Sequence, residues 1–158
     1  MVRTKRILGI ALALSLVWAA PAMAGKPDNP PGAGGREVID DAYVICDKDP
    51  AAWLADACAI FEATHQRGEE DPDFLDVTGN NASRNEDALS RQAASAVLSL
   101  DDAVNFEKCT QYATAASYLV SYADKVDQLM DAGKLSDDMG LATQARDLAG
   151  ELLSVECA

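Results

Sequence analysis

The sequence predicts an all-α fold, an antiparallel bundle of four or five helices stapled by two disulfides. Beyond residue 36, apolar residues recur at helical spacing, no stretch alternates with period two, and β-branched residues are few. Glycine, proline and capping residues divide the periodic stretches into separate helices. Four cysteines, Cys46, Cys58, Cys109 and Cys157, all follow an export-type leader, and an even number in that setting favours disulfides over free thiols.

The leader has three parts. Arg3, Lys5 and Arg6 form a basic start, and Ile7 to Ala20 is an apolar run of 14 residues. A membrane-spanning helix needs about 20, so the run is too short to serve as an anchor. Ala22-Met23-Ala24 is a cleavage signature, so residues 1–24 are expected to be a removable signal peptide with no stable membrane insertion afterwards. The Ala-rich leader looks bacterial and points to the periplasm or to secretion. The whole chain has 158 residues, 13 bases and 26 acids; subtracting these 24 residues and their three bases leaves 134 residues with a net charge of −16. That charge argues against nucleic acid and anionic membrane surfaces, whose phosphates need clustered Lys and Arg, and favours a basic protein partner.

Residues 25–36 (GKPDNPPGAGGR) form a Pro/Gly-rich flexible leader, and residues 37–158 a single helical domain. The first helix starts near Glu37, with Val38, Ala42 and Ile45 on one stripe. Asp49-Pro50 reads as an N-cap followed by proline at the first helical position. The helix it opens carries Trp53, Ala57, Ile60, Phe61 and Thr64 on one face and runs to about Arg67, where Gly68 stops it. Residues 68–82 form an acidic loop containing Pro72 and a Gly79-Asn80-Asn81 turn. Ser83-Arg84-Asn85-Glu86 fits a capping box, in which serine and glutamate satisfy opposing orphan amides. Leu89, Ala93, Ala96, Val97 and Leu100 line the helix that follows, with a bend expected near Asp101-Asp102. A long helix then places Phe106, Cys109, Ala113, Ala116, Val120, Ala123 and Leu129 or Met130 inward, and Gly133 ends it in the left-handed conformation. Ser136 caps the last helix, which carries Leu141, Ala145, Leu148 and Leu152 on to Cys157.

Gly133 lies 24 residues after Cys109 and 24 before Cys157. Two equal helical arms folding back about it bring those sulfurs level, so Cys109–Cys157 is the firmer pairing. Cys46–Cys58 follows by elimination, as a staple across the Asp49-Pro50 turn. A zinc site built from the four thiolates is the competing reading.

No complete catalytic motif is present, and no catalytic residue is assigned. Glu69, Glu70, Asp71, Asp73 and Asp76 are the candidate ligands for calcium, which favours oxygen donors gathered on a flexible loop. They do not make an EF-hand, because Leu75, Asp76 and Ala82 occupy places where that motif needs an oxygen ligand, glycine and glutamate. The single histidine, His65, has Glu62 three residues before it and Glu69 four after, only a fragment of a di-iron pattern. Serine, histidine and aspartate occur without a nucleophile elbow, so a hydrolase has no local support. Asn81-Ala82-Ser83 is a glycosylation sequon, relevant only to a eukaryotic secretory route. Tyr112, Tyr118 and Tyr122 share one helix and read first as core and boundary packing, second as a stacking stripe for a ligand.

The stretch Leu119-x-x-Tyr122-x-x-x-Val126-x-x-Leu129-x-x-x-Gly133-Lys134-Leu135-Ser136, with Ala145, Leu148 and Leu152 beyond it, resembles the FIMAH module over about residues 96–153. That resemblance implies a small helical domain of secreted bacterial proteins and brings no catalytic residue with it. The order of Cys46, Cys58, Cys109 and Cys157, with Cys109-x-x-Tyr112-x-x-Ala115, is similar to plant pectin-methylesterase and invertase inhibitors. That likeness implies a four-helix enzyme inhibitor. The expected function is therefore an exported, non-catalytic binding or interaction module. An acidic-loop calcium binder and a proteinaceous inhibitor are the alternatives.

Overall fold

A computed structural model describes residues 35–50, 52–65 and 75–157. Residues 1–34, which hold the expected signal peptide and most of the expected leader, lie outside the described residues. The described chain forms five helices: α1 (Gly35–Cys46), α2 (Trp53–Thr64), α3 (Ala82–Asn105), α4 (Thr110–Asp131) and α5 (Leu141–Leu153). The all-α expectation is therefore met. The first helix starts two residues before the expected Glu37, because Gly35 and Arg36 already belong to α1.

The helix α3 is the hub, packing against α1, α2 and α4, while α5 lies on α4 and also touches α2. One continuous apolar core draws on all five helices and on three residues of the connections, Leu75, Val77 and Leu135. On α1 the buried face is Ile39, Ala42, Tyr43, Ile45 and Cys46, so Val38 is only half-buried and Tyr43 is core. On α2 the expected face is right: Ala57, Ile60, Phe61 and Thr64 are buried and Trp53 packs at its edge.

The punctuation differs from expectation at several helix ends. Asp49 does not cap α2. It takes a positive φ of 55° in the turn after α1, and the helix begins only at Trp53, after Ala52 with φ 53°. The disulfide Cys46–Cys58, with Cα atoms 5.6 Å apart, crosses this turn. At its other end α2 finishes at Thr64, with His65 already extended, so the stop precedes Gly68, which lies outside the described residues. No capping box opens α3. Ser83 sits inside the helix, and the preceding turn is made by Gly79 and Asn81, both at positive φ, a conformation that glycine and asparagine tolerate best. The helix then runs unbroken through Asp101 and Asp102 to Asn105.

The expected inward face of α4 is turned by about a quarter of a turn. Leu119, Tyr122, Val126 and Leu129 are buried with Ala115, Ala116 and Ala123, whereas Phe106, Ala113, Val120 and Met130 are exposed. Two apolar stripes compete on this helix, and the one with the larger side chains takes the core because it buries more apolar area. Gly133, at φ 63°, closes α4 as expected: its N–H donates to Met130 O at 2.9 Å and Lys134 N–H to Leu129 O at 2.8 Å, the paired bonds of a Schellman motif.

Ser136 is not the cap of α5. Gly140 holds the N-cap position at φ 74°, and Asp138 before it accepts from Gly140 N–H at 3.1 Å and Ala142 N–H at 3.2 Å, so the helix starts at Leu141. It ends at Leu153, short of Cys157. Cys109 stands just before α4 and Cys157 just after α5, and their Cα atoms are 5.8 Å apart in the second disulfide. That bond fixes α4 and α5 as antiparallel arms about Gly133.

Candidate functional site

Glu69, Glu70, Asp71 and Asp73, four of the five calcium candidates, lie outside the described residues. Asp76 is described and exposed, between the buried Leu75 and Val77. Residues 75–78 are not free loop. Leu75 N–H donates to Ala63 O at 3.0 Å, Thr78 N–H to Lys134 O at 2.7 Å, and Val77 bridges Leu135. Among the described residues no three His, Cys, Asp or Glu side chains gather as a metal site. All four thiols are consumed by disulfides, which excludes the zinc reading.

His65 sits in an aromatic and hydroxylic setting. Phe61 stacks on its ring with centroids 6.0 Å apart, and Tyr43 meets it edge-on at 5.5 Å. The Tyr43 hydroxyl lies 2.7 Å from His65 Nδ1 and donates to the His65 carbonyl at 2.6 Å. A phenol has one proton, so with that proton on the carbonyl the Tyr43 oxygen accepts and Nδ1 carries the hydrogen. In the neutral ring Nε2 then presents a lone pair. The same reasoning orders the neighbouring pair. Thr64 Oγ1 donates to Ile60 O at 2.7 Å, so the buried Tyr122 hydroxyl donates to Thr64 at 2.7 Å. Burial pushes the Tyr122 phenol well above its ordinary value of 10.0. Tyr112 and Tyr118 are half-buried, so the three tyrosines are core and boundary rather than a stripe. Glu62 is exposed, and Glu69 is outside the described residues.

Thr64, His65, Leu75, Ser83, Glu86, Asp87 and Ser90 line a cleft of about 310 Å³ between the end of α2 and the start of α3. A second hollow of about 350 Å³ lies beside the α1–α2 turn, where Ile45, Leu54 and Val104 meet Lys48 and Asp101.

A groove of about 210 Å³ runs between α2 and α5. Its apolar members are Ala59, Ile60 and Leu148, and its polar ones are Asp56, Gln144, Asp147 and Glu151. No Lys or Arg is among these lining residues. The nearby Arg146 turns instead towards α4, where Asp127 and then Asp124 hold its guanidinium charged. Trp53 stands beside the groove, donating from Nε1 to Glu151 Oε2 at 2.9 Å. Tyr112 meets the indole edge-to-face at 5.7 Å. A carboxylate-lined groove beside two aromatic rings can take an ammonium or guanidinium, through charge-assisted hydrogen bonds and cation–π attraction.

Sequence reasoning did not single out this groove, although it left a trace. Asp147 and Glu151 are like charges one helical turn apart, an arrangement that weakens an isolated helix. Asp56 follows Trp53 by three residues on α2, but only the packing of α2 on α5 brings the two pairs together.

No described helix is long and apolar enough to cross a membrane. Comparison with protein-family models, with curated proteins and with solved structures finds no match to this chain. Neither the FIMAH resemblance nor the inhibitor resemblance gains support.

Proposed function

We propose that this protein is an exported, non-catalytic binding module whose α2–α5 groove receives a basic segment of a partner protein. The observation that carries this reading is the groove itself, where Asp56, Asp147 and Glu151 line one hollow with no Lys or Arg among its lining residues. Two disulfides and the lack of a described membrane-crossing helix are compatible with export. The staples also hold the groove's neighbourhood in shape, since Cys58 lies within α2 and Cys157 just beyond α5. A preorganised groove spends less binding energy on its own ordering. Steering by the acidic surface would speed encounter with a basic partner and weaken with salt.

Calorimetric titration with a short Lys/Arg-rich peptide tests the reading. Binding is expected to weaken by about tenfold or more in Asp147→Asn/Glu151→Gln, the loss of at least one charge-assisted bond. Equal affinity in that variant would overturn the assignment of the groove.

A further inference from the structure

The cleft at the end of α2 is separate from the α2–α5 groove and has a different composition. We infer that it is a binding site for a compact amine bearing hydroxyl groups, held by the Glu86 carboxylate, the His65 Nε2 lone pair and the Ser90 hydroxyl. His65 follows the last residue of α2, Glu86 and Ser90 come from the first turns of α3, and Leu75 supplies an apolar wall. Its volume of about 310 Å³ lies at the small end of ligand pockets.

Three observations favour a ligand of this chemistry. Ser90 is 1% exposed and lines the cleft, and no described residue forms a hydrogen bond with its hydroxyl. A buried hydroxyl is ordinarily paired, so this one is poised for a partner that enters the cleft. The Tyr43 hydroxyl fixes the hydrogen on His65 Nδ1, and Phe61 stacks on the ring. The imidazole is therefore held in one orientation, with Nε2 as an acceptor in its neutral form. Asp87 already pairs with Arg91, whereas Glu86 has no ion pair among the described residues, which leaves its carboxylate to receive the positive charge. A single unpaired carboxylate beside hydroxyl groups and an imidazole acceptor suits an ammonium, whose several N–H bonds can be spread along the cleft. Ser83 and Ser90 suit hydroxyl groups on the same molecule.

His65 is the only histidine in the chain, so its ring proton gives a single NMR resonance that reports on this cleft. The oxidised protein is titrated with glucosamine, and separately with glucose, which lacks the ammonium. The His65 resonance is expected to move saturably with glucosamine and not with glucose. Glu86→Gln should weaken the effect by about tenfold or more, and Ser90→Ala by a smaller factor. Asp147→Asn/Glu151→Gln should leave it unchanged, which separates this site from the peptide groove. Far-UV circular dichroism melts establish that each variant is folded. No saturable movement with glucosamine, an equal response to glucose, or an unaltered response in folded Glu86→Gln or Ser90→Ala would overturn the assignment.

Discussion

The two disulfide-bonded hairpins of this protein are built in different ways. The C-terminal pair, α4 of 22 residues and α5 of 13, is joined by the sequence-distant Cys109–Cys157 bond, 48 residues apart. Its connection has three residues at positive φ, and two of them, Gly133 at the reversal and Gly140 before α5, are glycines, with Met139 the third. The N-terminal pair, α1 and α2, closes a loop of only 12 residues through Cys46–Cys58, and its turn puts Asp49 and Ala52 at positive φ. In one hairpin a glycine sits at the reversal right after the first helix, and the cross-link joins the chain just outside the two helices. In the other, the cross-link and the burial of Phe61 and Tyr43 hold a turn that its residues do not favour.

Removing each staple sharpens this contrast. In the chain-entropy picture, opening Cys109–Cys157 by paired serine substitution costs about 4 kcal/mol, and opening Cys46–Cys58 about 3 kcal/mol. Urea unfolding of the two double variants should show that order. The turns themselves give smaller effects of opposite sign. Gly133→Ala places a Cβ at φ 63° and should destabilise by about 1–2 kcal/mol, whereas Ala52→Gly relieves a strained backbone and should stabilise by about 1 kcal/mol. If both substitutions destabilise, the N-terminal turn is not strained as described.

The buried Tyr122–Thr64 contact joins the two halves and makes a pH prediction. The Tyr122 phenol is held above its ordinary value of 10.0, so its contribution is complete below about pH 10 and is lost as the pH rises further, when the unfolded chain ionises and the folded one does not. Stability should fall above pH 10 by up to about 1.4 kcal/mol per pH unit from this group. Tyr122→Phe should remove that share of the slope while costing about 1 kcal/mol at neutral pH, because Thr64 keeps its bond to Ile60. Denaturant unfolding at several alkaline pH values separates the two effects. The smallest expected change is at Gln92, whose Oε1 is buried with no partner among the described residues. Gln92→Met should raise stability by up to about 1 kcal/mol, read as a higher urea midpoint.

The same comparison explains what was legible in the sequence. The C-terminal disulfide pairing could be read in advance from a glycine at the reversal, equal sequence distances from it to Cys109 and Cys157, and Leu141, Ala145, Leu148 and Leu152 at helical spacing. The start of α2 could not. Asp49-Pro50 has the chemistry of a helix start, but the chain needs three more residues to cross from α1 while keeping Cys46 beside Cys58. On α4 the periodicity was real and the facing was not, since Val120 and Met130 fit a helical stripe as well as Leu119 and Leu129 do. Only the neighbours on α3 and α5 choose between the stripes. The acidic groove was hidden for a related reason. Asp56 lies on α2 and Asp147 and Glu151 on α5, nearly a hundred residues away, and charge periodicity on one helix does not say which helix it will face.

The groove's role is tested most directly at Trp53, whose indole N–H is bonded to Glu151. Its NMR resonance is followed while the oxidised protein is titrated with a Lys/Arg-rich peptide, at ionic strengths of about 0.01 M and about 0.15 M, between which the Debye length falls from about 30 to about 8 Å. The resonance should move saturably at low salt, require more peptide at high salt, and stay still in Asp147→Asn/Glu151→Gln when compared with that variant's own starting spectrum. An indole resonance that does not move in the unaltered protein, or that moves equally in the variant, would contradict a basic-partner groove between α2 and α5.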